Sequence, residues 1–488
     1  MNVRRVVTGR ARVARLAFIS ALLLAVCAAG GAIAPPASAT ATATPAVESR
    51  GFTSGQLRTW WSFDGTLHIR DRLTSCAKAP DGSIYAVGST NDNKPTSGDI
   101  VLVKFDASGW FQWLRVYHVP GSVFAGAAAV TTDADSSVVV TGGRNDGAQY
   151  DIFTAKFNGL GVLQWYAVKA GIAGANDNAS DLVTDASGNV YVAGEMDGGD
   201  EAVVVKYDAD ADPANPGKGK EEWTHHILGT AAYESAEARE IARDSSGNIY
   251  VVGTRATAGG GDDIYVAKIK ADGGRTWLRG YNSYRKRGDY GEQIACSSRG
   301  VWVGGNIDKP KGSADTVLLH YSATGHRDWV HTWDDSLHKA ENIADLGVDR
   351  FGNAYLAADF WPSATAHKGV LIKYSHAGAR RWIRTYRGVS GAGATGGTNF
   401  ADLAVSSSGT TWLVGDVHDG TSSGWLVIKY TAAGKRAWAT RWPLSGSVEP
   451  TNGQAWSCVT SGTSDLFVAG DLERPAGGWN SGAGWFVR

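Results

Sequence analysis

Asp185-Ala-Ser-Gly-Asn-Val-Tyr-Val-Ala-Gly194 is the stretch that decides the fold, because it returns. It reappears as Asp244-Ser-Ser-Gly-Asn-Ile-Tyr-Val-Val-Gly253 and, more loosely, as Asp349-Arg-Phe-Gly-Asn-Ala-Tyr-Leu-Ala-Ala358. Weaker copies centre on Tyr85, Val139, Trp302, Trp412 and Phe467. Self-similarity at a fixed period marks a repeat architecture and takes precedence over local propensity. Downstream of each copy runs an alternating segment ending in a basic and an apolar or aromatic residue. These ends are Lys104-Phe105, Lys156-Phe157, Lys206-Tyr207, Lys268-Ile269, His320-Tyr321, Lys373-Tyr374 and Lys429-Tyr430. At a constant distance beyond stand Trp113, Trp165, Trp277, Trp329, Trp382 and Trp438, while Trp223 is displaced by an insertion over 208–220.

Alternation has period 2 and β-branched and aromatic residues dominate, so each unit reads as four short strands. In one copy these are 180–184, 190–194, 202–207 and 222–227. Asp-x-x-Gly-Asn suits a tight hairpin, since Gly and Asn tolerate positive φ. Four antiparallel strands per unit of about 54 residues predict an all-β chain, a β-propeller with eight blades over residues 56–488. The last unit stops at the phase of the repeat's lysine and lacks its Trp strand. Residues 56–63, with Trp60-Trp61, supply an unassigned one. The expectation is that this N-terminal strand completes the last blade and closes the ring, so that no sheet edge is left open. The alternative is an open or seven-bladed array with a stray strand.

Ahead of the repeats, residues 1–39 read as a signal peptide. Five arginines (Arg4, Arg5, Arg10, Arg12, Arg15) precede an apolar run to Ala34, and Ala37-Ser38-Ala39 is a small-x-small cleavage site. Ordinary export is favoured over a twin-arginine route, because Val6-Val7-Thr8 fits the latter poorly. Cys27 falls in a weak lipidation motif. Residues 40–55 are a polar linker. The expected product is secreted or extracytoplasmic. No later apolar run reaches the roughly 18 residues a membrane span requires.

The core Asp-x-x-Gly-Asn-x-Tyr-Val-x-Gly, with the strand Ile343-Ala-Asp-Leu-Gly-Val-Asp349 before it, resembles the bacterial secreted beta-propeller (SBBP-like) repeat family. The later part of the unit, as in Lys429-Tyr-Thr-Ala-Ala-Gly-Lys-Arg-Ala-Trp438, is similar to the tryptophan-docking repeats of eight-bladed quinoprotein propellers. The first resemblance implies a secreted or surface bacterial protein and brings no catalytic residues; its family name implies seven blades, from which the count here departs.

Function is less legible, since propellers host unrelated activities. The 47 Lys and Arg against 48 Asp and Glu give net −1, which argues against a nucleic-acid partner. Without residues 1–39 the net charge is −6. The phase-locked tryptophans are assigned to packing between blades. Trp110, Trp361, Trp442, Trp456 and Trp479 lie off that phase and are the aromatic ligand candidates.

The first strand of each unit is expected to line a central tunnel. Aligned there are Ser75, Ala129, Asp181, Glu240, Asp345, Asp402 and Ser457, with Gln293 nearby. Slightly upstream are Asn178, Glu237, Asn342, Asn399 and Gln454. A ring of Asp181, Glu240, Asp345 and Asp402, with Asn178, Glu237, Asn342 and Asn399 toward the mouth, is the candidate site. It suits calcium, a polyhydroxyl ligand or a cationic one. The competing reading is that these groups bond backbone N–H groups between blades. Asp208, Asp210 and Asp212 resemble the opening of a calcium loop but meet Pro213 where that loop needs Gly. Cys76 and Cys458 share one phase of the repeat in the first and last units, a candidate disulfide across the seam. Cys296 is left over as a buried thiol. There is no Gly-x-Ser-x-Gly, His-Glu-x-x-His or Cys-x-x-Cys, no vicinal cysteine pair, and no sialidase box, since Ser406–Trp412 lacks its Asp. A monomeric, non-catalytic module for a glycan, a cell-envelope component or a protein is therefore expected. The alternative is an extracellular polysaccharide hydrolase or lyase working through the tunnel carboxylates.

Overall fold

The computed structural model describes residues 57–63 and 72–486, apart from the segments 95–96, 229–234, 258–259, 285, 311–312, 335–340, 364–365, 387–396, 419–422, 443–451, 462–464 and 474–478. The signal peptide, Cys27, Ala39 and most of the linker lie outside the described residues. Every regular element described is a strand, and the strands form eight four-stranded antiparallel sheets. This is an eight-bladed β-propeller. Blades 1 to 7 span 72–117, 124–169, 178–228, 236–281, 289–333, 341–386 and 397–442. Blade 8 combines 452–486 with Leu57–Phe63, which pairs antiparallel with Trp479–Phe486 as the outermost strand. The innermost strands are Arg72–Lys78, Phe124–Thr132, Asn178–Thr184, Ala236–Arg243, Asp289–Ser297, Glu341–Val348, Gly397–Val405 and Asn452–Ser461. Each packs against its counterparts in both neighbouring blades, the first against the eighth included. No helix among the described residues is long and apolar enough to cross a membrane.

The signature Asp-x-x-Gly-Asn-x-Tyr is a self-satisfying hairpin. Asp244 Oδ1 accepts the amides of Ser246 and Asn248, both at 2.9 Å. Its Oδ2 accepts Asn248 Nδ2 at 2.8 Å and the Tyr250 hydroxyl at 3.0 Å. Asp185 and Asp349 repeat this with Tyr191 and Tyr355. Gly188, Gly247 and Gly352 sit at φ of +82°, +83° and +76°, where a side chain is strained. Ser136 holds the same turn position in blade 2 at φ 60°.

Outer packing is equally repetitive. The basic residue of each third strand faces the tryptophan of the fourth: Lys104 opposite Trp113, Lys156 opposite Trp165, Lys268 opposite Trp277, His320 opposite Trp329. Trp223 also faces Lys206, so the insertion is extruded as a hairpin extension and the register is kept. Each indole then reaches the next blade. Trp277 Nε1 donates to Ala323 O at 3.2 Å, and Lys268 Nζ donates to the same carbonyl at 3.1 Å. Trp165 with Lys156 on Ala209 O, and Trp382 with Lys373 on Ala432 O, repeat the node. Trp61, from the N-terminal strand, donates to Gly109 O at 3.3 Å and is 3% exposed among Phe105, Trp110 and Phe111. The indoles lie on glycines of the following turn: a Cβ on Gly325 would stand 2.8 Å from Trp277, and one on Gly434 2.7 Å from Trp382.

These turns set a stability test. Asp244→Ala strands two backbone amides and two side-chain donors, and thermal or urea unfolding should show a loss of about 2–3 kcal/mol. Ser136→Gly relieves the positive φ and should gain up to about 1 kcal/mol.

Candidate functional site

The inner strands share a device that the sequence pattern conceals. Every one carries a β-bulge that skips the residue before the aligned tunnel position. The register shifts between Leu73 and Ser75, Ala127 and Ala129, Ala179 and Asp181, Ala238 and Glu240, Gly291 and Gln293, Ile343 and Asp345, Phe400 and Asp402, and Ala455 and Ser457. A bulge re-aims side chains and breaks the local ladder. Here it presents backbone N–H groups to the preceding blade, and these require acceptors.

The aligned side chains supply them. Asp181 Oδ2 accepts Ile241 N at 3.2 Å, Glu240 Oε2 accepts Ile294 N at 2.5 Å, Asp345 Oδ2 accepts Leu403 N at 2.7 Å and Asp402 Oδ2 accepts Cys458 N at 2.7 Å. Ser457 Oγ accepts Cys76 N at 3.2 Å, and Ser75 Oγ accepts Val130 N at 3.3 Å. In each case the acceptor serves the residue just after its counterpart in the next blade. The inter-blade role weighed against a ligand role in the sequence is therefore present in full. The carboxylates nevertheless interact with one another. Gln293, with its amide nitrogen turned inward, donates to Asp345 Oδ1 at 2.9 Å and Glu240 Oε2 at 3.1 Å. Asp402 lies close enough to Asp345 for its charge to oppose ionisation of the Asp345 carboxyl.

Burial and crowding act in the same direction. Burial pushes the Asp181 carboxyl up to about 6. Glu240 is driven well above the usual carboxylate range by burial, then by the charges of Asp181 and Asp345. Asp345 is raised by burial and then by Asp402. The result is a set of acidic groups on blades 3, 4, 6 and 7, bridged at blade 5 by Gln293, with the Glu240 and Asp345 carboxyls held well above the usual range.

The upstream residues do not gather into one group. Asn178 Nδ2 donates to Glu195 Oε1 at 3.0 Å, and Asn399 Nδ2 to Asp416 Oδ2 at 3.2 Å. Glu237 pairs with Arg239, and Asn342 is exposed. A second belt was missed in the sequence. On second strands, Thr254 Oγ1 accepts Gly291 N at 3.2 Å, Asn306 Oδ1 accepts Ile343 N at 2.9 Å, and both Asp359 oxygens accept Phe400 N at 3.0 and 2.9 Å. Burial raises the Asp359 carboxyl to about 8. Asp315, Asp334 and Glu341 were also missed; their oxygens lie within 4.8 Å of one another, and Lys309 is paired with both Asp315 and Asp334.

Two expectations are corrected. Cys76 and Cys458 are free thiols. Cys76 Sγ lies 3.4 Å from the Ser457 hydroxyl. Burial pushes the Cys76 thiol up to about 12. Asp208, Asp210 and Asp212 do not converge either. Asp208 pairs with Lys220 at 3.3 Å, Asp212 accepts Asn215 Nδ2 at 2.7 Å within its own turn, and Asp210 is exposed. Cys296 is a free, half-buried thiol. Of the off-phase aromatics, Trp442 packs on Trp425, Trp361 on His367, Trp110 on Trp61, and Trp456 lies under Arg72 at 4.6 Å. The side chain of Trp479 lies outside the described residues.

No family model matches the sequence, and no curated protein is significantly similar to it. Solved structures share the fold. Sqt1 from Chaetomium thermophilum, bound to the N-terminus of the ribosomal protein L10, superposes with a TM-score of 0.50 at 13% identity, over 88% of this chain and 98% of that one. The polysaccharide lyase Uly1 gives 0.46 at 10% identity, over 88% and 99%. The periplasmic gluconolactonase PpgL of Pseudomonas aeruginosa gives 0.37 at 11% identity, over 67% and 95%. At these identities the likeness is one of fold.

Proposed function

We propose that the chain is a secreted bacterial propeller of the SBBP-like kind that works as a non-catalytic binding module. Its ligand is a glycan, a cell-envelope component or a protein, taken at the tunnel mouth beside Asp181, Glu240, Asp345 and Asp402. One observation supports this above others. Ser75 and Ser457 make the inter-blade bond with a neutral hydroxyl, so the architecture does not require charge at this position. Four carboxylates in its place cost stability through burial and mutual repulsion. A partner offering hydroxyl or cationic groups recovers that cost on binding. Calcium would do so as well.

Glycan arrays and envelope extracts test this with the purified mature chain. The Asp181→Asn/Asp345→Asn variant keeps the backbone acceptors and removes the charge. Binding should fall at least about tenfold; unchanged binding in the folded variant removes the tunnel site.

The same variant has a pH signature. Carboxyls whose folded pKa is raised bind more protons folded than unfolded. Their stabilising contribution is complete below about pH 4 and is lost as pH rises through about 6. The variant should therefore melt higher than the wild type at pH 8, with the gap closing toward pH 4, as calorimetry across that range will show.

A second reading is an extracellular polysaccharide hydrolase or lyase. The placement of Asp345 beside Asp402 favours it, since burial and that neighbour raise the Asp345 carboxyl and suit it to donate a proton. Metal analysis and a turnover screen on polysaccharides separate the two readings. Product release abolished by Asp345→Asn supports catalysis, and its absence leaves the binding module.

A further inference from the structure

The outer rim carries a charge pattern opposite to the tunnel's. At the start of each fourth strand, one residue faces the aromatic or apolar end of the third. In blades 1 to 3 this residue is Phe111, Leu163 and Glu221. In blades 4 to 7 it is Arg275, Arg327, Arg380 and Arg436, all exposed. Four consecutive blades thus present an arginine at one height on the outer edge, and the preceding blades do not.

Two of the seams in this arc are hollowed into cavities of the same construction. Between blades 4 and 5 a cavity of about 520 Å³ is lined by Arg279, Tyr321, His326 and Arg327. Between blades 6 and 7 one of about 480 Å³ is lined by Arg384, Tyr430, Lys435 and Arg436. No acidic residue lines either. One wall is a fixed guanidinium. Arg279 Nε donates to Gly325 O at 2.8 Å and Nη1 to Leu278 O at 3.0 Å; Arg384 Nε donates to Gly434 O at 2.5 Å and Nη1 to Ile383 O at 2.7 Å. Both planes also lie over their own blade's indole, Trp277 at 5.6 Å and Trp382 at 5.4 Å. A second arginine lines each cavity and lies over a tyrosine, Arg327 on Tyr281 at 5.2 Å and Arg436 on Tyr386 at 5.9 Å.

A guanidinium tied through Nε and Nη1 to carbonyls keeps its Nη2 edge for a ligand and loses little freedom on binding one. Paired arginines across a cleft match the forked oxygens of a carboxylate or sulfate. We propose that the outer rim of blades 4 to 7 binds an anionic polysaccharide, one carboxylate or sulfate seated in each of the two arginine clefts. The clefts recur two blades apart in an eightfold ring, so one polymer chain engages both and gains by avidity. This site is separate from the tunnel mouth and does not rest on it.

Isothermal titration of the mature chain with polygalacturonate, dextran sulfate and neutral dextran tests the proposal. One or both anionic polymers should bind, more weakly as salt is raised, and dextran should not. Binding of polygalacturonate assigns carboxylates to the clefts, and binding of dextran sulfate alone assigns sulfates. Arg327→Glu/Arg436→Glu, at exposed positions that do not disturb folding, should weaken binding by at least about tenfold. Arg350→Glu, an exposed reversal on a first-to-second-strand turn, should leave it unchanged. Equal binding of dextran, unchanged binding in the rim variant, or an equal loss in the Arg350 control overturns the proposal. So does loss of polygalacturonate binding in Asp181→Asn/Asp345→Asn with the rim variant unaffected, a result that transfers the ligand to the tunnel.

Discussion

A bulge repeated at one place in eight innermost strands is the constraint on which the rest of the structure depends. An ordinary ladder uses each inner-strand amide within its own sheet, and the blades would then meet only through side-chain packing. The bulge turns selected amides outward across the seam. Because a buried donor without an acceptor costs about 1–3 kcal/mol, the facing position of the previous blade is restricted to residues that accept. Ser, Asp and Glu accept there, and Ser180 and Thr74 reinforce the contact by donating to Ala238 O and Ala127 O. Blades 2 and 5 are the exceptions: Ala129 packs through small apolar side chains, and Gln293 donates to the carboxylates of Glu240 and Asp345.

Farther from the axis, the seam is secured by different chemistry. A turn carbonyl between third and fourth strands receives an indole N–H in blades 1 and 3 to 7 and, in blades 3, 4, 5 and 7, also a lysine ammonium; of these lysines, Lys373 lies over the second-strand ring of Tyr355 at 4.7 Å. Glycine beneath the indole is required twice over, by positive φ and by the absence of room for a Cβ. Blade 5 departs from the pattern. His320 stands where other blades have lysine, 1% exposed, stacked on Trp329 and edge-on to His376 of the next turn. Imidazole is too short to reach the turn carbonyl as lysine does, so the next blade brings a ring of its own to fill the gap.

Blade number, strand order and the pairing of Lys with Trp were legible because each is fixed by spacing within a unit of about 54 residues. Even the displaced Trp223 resolves correctly, since a hairpin can lengthen at its tip without losing register. What could not be read depends on distances across seams. The bulge leaves no mark in composition, and without it the target of Asp181 is invisible. Thr254, Asn306 and Asp359 form a belt in which chemically different side chains do one job, so no residue type repeats to betray it. The cysteines illustrate the converse. They share a phase of the repeat, but the bonds across the seam join Cys76 to Ser457.

Repetition also shows where the scaffold is over-supplied. A hydroxyl suffices at the inner position, yet blades 3, 4, 6 and 7 carry carboxyls, and burial raises those of Asp181, Glu240 and Asp345. A phenyl or isobutyl group suffices at the outer position, as Phe111 and Leu163 show, yet blades 4 to 7 carry arginine. Both departures fall on the same half of the ring. Charge of one sign on the axis and the other on the rim gives that half a radial polarity, while blades 8, 1 and 2 retain neutral inner residues. Architecture alone predicts no such asymmetry, because every blade solves the same packing problem. In a repeat protein the positions that differ without a packing reason are the ones packing leaves unexplained, and here they fall within blades 3 to 7.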